Sequence, residues 1–400
     1  TPYIKENQKL SISNWEESLK VLKGKLKTLK PLALIGEHVD LETGYAIKKF
    51  MSNYGKDNVE CRTDNHAILE SLDSYRFNTP LNDIENSDLI ILVGTNPKIE
   101  TPIINHKIFK AYNNDAKVFN IGENISLNYK TEYLGESLSN LNNENIIKAL
   151  KKSTNPLIII GSAFLNKIKN IKTLKSIFSY ADKYKVITKE KNNLNFLNPY
   201  ASRVGQLIIG NTTNNLCEPF SNLKKDNFEL VLSFGSEHIA NEQFNNCFKV
   251  YFGHHGDDGA MGSDIVLPTP LYTEKNGTFV NIEGRPQEAK KCHNPIGSAK
   301  EEWSILKKLS DELSFDFIPN TFDQLRSELF DKHPILSDYH EIIAVENSTS
   351  ITPDIEFEDC KAEYPVSNFY MSDVISKNSV TMAKCVEEII STPSLLEKSA

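Results

Sequence analysis

YFGHHGDDGAMGSDIVLPTPLYTEKNGTFVNIEGRPQEAK, residues 251–290, packs short apolar runs and turn residues together at close spacing. Residues 249–252 read as a buried strand that stops at Gly253, ahead of a turn region rich in His, Asp and Gly. A second short strand at residues 264–267 is stopped by Pro268 and Pro270, because proline has no N–H to give a ladder. Asn276-Gly277 predicts a reversal between apolar flanks, and residues 279–282 a strand closed by Glu283-Gly284-Arg285. The order is that of a sheet edge with polar corners.

The strand-then-glycine unit recurs along the chain. It is found at residues 32–36, 89–94, 117–122, 157–161 and 230–235. These apolar runs are continuous rather than alternating, which predicts strands covered on both faces, hence parallel sheets flanked by helices. Glycine lets the chain turn at the carboxyl end of each strand, where open α/β sheets place their binding crevices. Apolar stripes with helical spacing fill the intervals, at residues 15–29, 43–54, 103–112, 144–151, 171–184, 301–313 and 321–330. The fold class is α/β, Rossmann-like and doubly wound, with mainly parallel sheets.

Four hundred residues with 39% hydrophobic and 24% charged side chains have room for two or three such lobes. No apolar run reaches the ~18 residues of a membrane span, so no direct membrane span is expected. A formal charge of −8 argues against nucleic acid as the main partner. The chain opens at Thr1 without an apolar signal core, from which a presequence outside it is expected. Cys61, Cys217, Cys247, Cys292, Cys360 and Cys385 are scattered, with no CxxC pair to wrap a metal, and read as reduced packing residues.

Several stretches together carry a family resemblance. They are residues 251–290, the unit Asn86-Ser87-Asp88 through Gly94-Thr95-Asn96-Pro97 with Glu100-Thr101-Pro102, and residues 368–376 with Thr381-Met382-Ala383-Lys384-Cys385. They resemble the molybdopterin oxidoreductase superfamily, and within it the C-terminal half of the large iron–sulfur core subunit of respiratory complex I, of mitochondrial type. The resemblance implies a two-lobe architecture. Residues 1–57 and 139–319 would form one discontinuous lobe, 58–138 an inserted lobe, and 320–400 a C-terminal extension wrapping a neighbour. It also implies a place in the matrix-side peripheral arm at the mitochondrial inner membrane. The partners would be an iron–sulfur N-terminal half on a separate chain and other peripheral-arm subunits, with iron–sulfur clusters and FMN in those partners and no cofactor here.

The candidate sites follow. Gly94, Thr95, Asn96 and Pro97 lie between a strand and a helix, where backbone donors could hold a phosphate, and the resemblance makes them a vestigial cofactor loop. Cys61 lies near the segment where catalytic relatives supply a metal ligand, but the better register falls on Asn65 or His66, and no catalytic residue is expected. His254 and His255, with Asp257 and Asp258, have metal-binding chemistry, yet neighbours in an extended segment point to opposite faces. They read instead as a polar turn at a subunit boundary. Glu274, Lys275, Asn276, Gly277, Glu283 and Arg285 read as charges and turns that pin the hairpin or contact a partner, and Phe369 and Tyr370 as further interface candidates. No GxGxxG follows a strand, so direct NADH binding is not expected. The alternatives are a formate-dehydrogenase-like molybdenum enzyme and a free-standing nucleotide-binding or assembly module.

Overall fold

The computed structural model describes residues 1–55, 58–219, 223, 228–315, 319–339, 341–344, 355–364 and 368–390. Among them the strands are β1 (Tyr3–Glu6), β2 (Lys9–Ile12), β3 (Pro31–Ile35), β4 (Val59–Glu60), β5 (Leu89–Val93), β6 (Lys117–Ile121) and β7 (Glu132–Tyr133). They continue with β8 (Pro156–Ile160), β9 (Leu194–Phe196), β10 (Leu230–Phe234), β11 (Phe248–Gly253), β12 (Ile265–Pro268), β13 (Gly277–Val280) and β14 (Pro286–Ala289). Two main sheets result, a seven-stranded one of order β2-β1-β12-β11-β10-β3-β4 and a five-stranded one of order β7-β6-β5-β8-β9.

From β4 to β12 the first sheet is parallel, with β1 and β2 added antiparallel at one edge. The second sheet is parallel throughout. Each is buried on both faces. In β3, Ala33 and Ile35 join one apolar cluster while Leu32 and Leu34 join another on the opposite face. In β5, Leu89, Ile91 and Val93 face one cluster, and Ile90 and Leu92 a second. Double coverage is why these strands are written as unbroken aliphatic runs.

The helices form where the stripes predict, with ends set by caps. Trp15–Leu26 starts at Asn14, whose side chain accepts the Glu17 N–H (2.9 Å), and Leu41–Ser52 starts at Asp40, which accepts the Thr43 N–H (2.8 Å). Helix Glu302–Leu313 packs Ile305, Leu306 and Leu309 into the first core. No helix among the described residues is long and apolar enough to cross a membrane.

Three expectations change. The expected inserted lobe ended at residue 138, but β8 and β9 pair beside β5, so the second sheet takes its strands from Leu89 through Phe196. The other boundary, at residue 57, falls outside the described residues. The extension expected from residue 320 also returns to its own chain. Leu325, Leu329, Leu336 and Ile343 are buried in the first core, and Ile355, Phe357, Cys360 and Ala362 pack against the second. Finally, the hairpin turns one strand later than Asn276-Gly277. Gly277 opens β13, and the reversal before β14 spans residues 281–285, with Gly284 at φ +86°. Gly277 is required there for another reason: a Cβ on it would stand 2.6 Å from Asp40 Cβ.

Candidate functional site

Each main sheet has one point where the strand order reverses, between β3 and β10 in the first and between β5 and β8 in the second. At such a point the loops diverge and leave a crevice at the carboxyl ends of the strands. Glycines permit the close approach. A Cβ on Gly36, after β3, would lie 2.1 Å from the carbonyl oxygen of Gly235, after β10, and one on Gly161, after β8, would lie 2.1 Å from that of Gly94, after β5.

The crevice of the first sheet has a volume of about 510 Å³. Glu37 and His38 come from the turn after β3, Asp64 from the loop after β4, Tyr200 from the loop after β9, and Glu237 and His238 from the turn after β10. Asp258, Asp373 and Lys377 complete the charged lining, so five carboxyl groups face a single ammonium. Burial, with help from Glu237, pushes the Glu37 carboxyl up to about 7. Burial also lowers His38 and His238, which favours their neutral forms.

Beneath this crevice lies a buried polar layer. Arg203 donates to Asp64 Oδ1 (2.8 Å) and stacks over Tyr200, 4.9 Å from its ring centre. Arg62 grips both carboxylate oxygens of Glu60 (3.0 and 2.9 Å), while Thr213 donates to Glu60 Oε2 through its hydroxyl (2.8 Å). His66 is fully buried, held near 3 by burial, and neither ring nitrogen has a hydrogen-bond partner. Burial raises the Cys61 thiol to about 12, which keeps it protonated and a poor metal ligand. Asn65 adopts φ +61° between the two ion pairs.

At the second crevice the loop Gly94-Thr95-Asn96-Pro97 takes the shape the sequence suggests, with Gly94 at φ +63°. Its donors are already engaged. The Thr95 hydroxyl (2.6 Å) and the Asn96 N–H (2.8 Å) donate to Glu100 Oε2, and the Ser162 hydroxyl donates to Glu100 Oε1 (3.2 Å). An internal carboxylate thus stands where a phosphate would be received. The adjoining space of about 680 Å³ is lined by Gly122, Glu123 and Glu136, and by Lys361, Ala362 and Tyr364 of the C-terminal segment. A phosphate entering either place would meet carboxyl groups, those lining the first crevice or Glu100 at the second.

Of the remaining sequence candidates, Glu274 and Lys275 are buried, Glu283 and Arg285 are half-buried and Asn276 is exposed. Lys275 is buried, donating to Glu302 Oε2 (2.8 Å) and lying 2.9 Å from Asp40 Oδ2. Burial alone would lower it, but the two carboxylates win and raise it. Glu274 accepts the Leu271 N–H (2.9 Å), Asn276 Oδ1 accepts the Lys291 N–H (3.0 Å), and Glu283 Oε1 accepts the Leu81 N–H (2.8 Å). The Arg285 N–H donates to Asn281 Oδ1 (2.8 Å). Of these contacts, those of Lys275 with Asp40 and Glu302 and that of Glu283 with Leu81 reach beyond the hairpin segment.

His254 and His255, expected on opposite faces, meet edge to face with their Nδ1 atoms 2.6 Å apart. The strand ends at Gly253, and the bend beyond it removes the alternation. Burial, then His255, brings His254 down to about 3. No group of three or more His, Cys, Asp or Glu side chains among the described residues is arranged to hold a metal. Phe369–Met371 forms a 3-10 turn beside the first crevice, where Asn368 Oδ1 accepts the Tyr370 N–H (3.0 Å). Glu37, Arg203 and Lys377 are not among the sequence candidates, and Glu100 entered only through the family resemblance. Only Glu100 had a local signal, a carboxyl in the first turn after a Thr-Asn-Pro loop.

Residues 1–312 match the molybdopterin oxidoreductase family, and residues 344–385 match the C-terminal region of the G-type subunit of NADH-ubiquinone oxidoreductase. The chain is 34% identical over 397 residues to the G-type subunit of NADH-quinone oxidoreductase from Rickettsia bellii, covering 96% of this chain and 57% of that protein. It is 32% identical over 416 residues to the NADH-ubiquinone oxidoreductase 75 kDa subunit of Reclinomonas americana, covering 96% and 59%. This chain therefore spans less than two thirds of the length of the relatives it matches. In three dimensions it superposes on a chain of the formyltransferase/hydrolase complex of Methylorubrum extorquens with a TM-score of 0.58 at 12% identity, covering 78% of this chain and 99% of that one. Parallel sheets with crevices at two reversal points, and a match over residues 1–312, make the chain a member of the molybdopterin oxidoreductase family, with the C-terminal region of a G-type NADH-ubiquinone oxidoreductase subunit at residues 344–385.

Proposed function

We propose that this chain is a structural core component of respiratory complex I, the assembly that passes electrons from NADH to a quinone and couples this to proton translocation. The observation that carries the reading is the likeness to G-type and 75 kDa subunits along 96% of the chain. The chemistry of the crevices supports a role without a redox centre in this chain. The phosphate-type loop is satisfied by Glu100, and the carboxyl-lined crevice of the first sheet repels anions. Iron–sulfur clusters and FMN belong, on this reading, to partners. The chain braces the cluster-bearing portion in the peripheral arm, on the matrix side of the mitochondrial inner membrane. Electron tunnelling falls steeply with distance, so a rigid two-lobe body has value as a spacer.

Gentle solubilisation followed by a native gel tests this. The chain should migrate with iron–sulfur polypeptides in a band that oxidises NADH. Stoichiometric molybdenum or tungsten with extractable pterin in the isolated chain would overturn the reading in favour of a formate-dehydrogenase-like enzyme.

A further inference from the structure

The described C-terminal segments cross both crevices. Upstream, Lys361 bridges to Ser137, the Leu138 N–H donates to Cys360 O (3.3 Å), and the Glu363 N–H donates to Ala163 O (3.1 Å). Lys361, Ala362 and Tyr364 thereby line the crevice of the second sheet. Downstream, residues 368–377 enter the crevice of the first sheet with a structure of their own. Asp373 Oδ1 accepts the N–H groups of Ile375 (2.7 Å) and Ser376 (3.0 Å), and the Asp373 N–H donates to Ser376 Oγ (3.0 Å), a reciprocal cap on the turn Val374–Lys377. This cap holds Lys377 so that its ammonium donates to both oxygens of Glu237 (3.1 and 2.8 Å).

The charge balance explains the docking. Without residues 368–377 the charged side chains lining this crevice are Glu37, Asp64, Glu237 and Asp258, all carboxyl groups, of which Asp64 is already paired with Arg203. A crevice of that sign attracts cations, and a peptide that carries one lysine on a capped turn supplies the cation in a fixed position. The polar residues Asn368 and Ser372 and the side chain of Met371 fill the wall beside it. The occupant is covalently attached, so it binds at a high effective concentration and competes well with free cationic ligands.

We propose that the crevice of the first sheet is a docking site for a lysine-bearing peptide, and that residues 368–377 of this same chain are its resident occupant, a latch that closes the crevice and can be displaced as a unit. The proposal concerns this chain alone and stands apart from its place in an assembly. The test uses the full chain, its Lys377→Glu variant, and a fluorescent synthetic peptide with the sequence of residues 368–385. In the variant, amides of residues 235–238 and 375–378 should exchange about tenfold faster, while those of β5 stay unchanged. The peptide should bind the variant and not the unsubstituted chain, where the site is taken, and the same peptide carrying Lys377→Glu should bind neither. If the variant loses global protection, Lys377→Gln replaces it in the same measurements. Equal peptide binding to both chains, binding to neither, or unchanged exchange at residues 235–238 overturns the proposal.

Discussion

Replacing Glu37 with Gln tests the electrostatics of the first crevice through stability alone. The carboxyl of Glu37 is moved from 4.5 to about 7 chiefly by burial and by Glu237. It therefore stays protonated in the folded chain over a range in which the unfolded chain has released the proton. The folded state binds more protons than the unfolded state between those two values, so stability falls as pH rises through that window. The interval from 4.5 to about 7, at about 1.4 kcal/mol per pH unit, sets a ceiling of about 3 kcal/mol. Glu37 is only half-buried, and solvent screening brings the expected effect to about 2 kcal/mol.

Glutamine keeps the shape and hydrogen-bonding capacity of the neutral acid but cannot ionise. The two proteins should therefore be nearly equally stable at pH 4, with the variant gaining on the parent up to pH 7 and holding a constant lead of about 2 kcal/mol above it. Urea unfolding followed by tryptophan fluorescence at a series of pH values measures the difference, and the titrating groups remote from Glu37 cancel in it. Trp15 and Trp303 both lie against the first core and report on the same lobe. A lead that does not change with pH, or a parent that gains on the variant as pH rises, would refute the assignment of a buried, proton-holding carboxyl.

Lys275→Met should destabilise the chain by about 3–5 kcal/mol, because Asp40 and Glu302 would be left buried without their shared cation, and a loss below ~1 kcal/mol in urea unfolding would contradict the triad. Gly36→Ala should cost about 3 kcal/mol, since the new Cβ meets the Gly235 carbonyl at 2.1 Å and must push two sheet strands apart; an unchanged melting temperature would deny that contact. A thiol reagent should label exposed Cys292 rapidly in the native chain and buried Cys61 only after unfolding, which mass spectrometry of peptides resolves. Glu100→Ala should free the Thr95, Asn96 and Ser162 donors, loosen residues 94–97 in hydrogen exchange and lower stability by about 1–3 kcal/mol; unchanged exchange there would show that the carboxylate holds nothing.

The central strands were legible because both their faces are covered. Runs such as Leu89–Val93 and Pro156–Ile160 are buried at every position, and a five-residue aliphatic run before glycine has few other readings. Edge elements carried no comparable signal. Tyr3–Glu6 and Lys9–Ile12 are half-exposed, mix charged with apolar residues, and turn at Asn7 and Gln8, both at positive φ without a glycine to announce it. Leu194–Phe196 is three residues long and contains Asn195, buried because its amide bonds Thr79 and the Ile158 carbonyl rather than because it is apolar. The expected lobe boundary failed for a related reason. Which strand pairs with β5 is decided across a crossover, and nothing local to residues 156–160 says which sheet they join.

The crevices show the same division between local and long-range information. Gly94 and Pro97 betray the loop, but whether its donors await a ligand depends on Glu100, whose carboxylate reaches back to Thr95 and Asn96. In the first crevice Glu37, Glu237 and Lys377 lie far apart in the chain, the last two by 140 residues, and look like ordinary surface charges in sequence. Brought to one reversal point, they make a negative pocket that the chain closes with its own lysine. A tail serving only as an arm around another protein would have no reason to place a capped turn and an ammonium there. Its apolar side chains would also be expected to point outward, whereas Ile355, Phe357 and Ala362 pack on the second core of their own chain. The direction in which those side chains are buried makes closure of the parent lobes the first task of the C-terminal segment, and leaves its outer face for any partner.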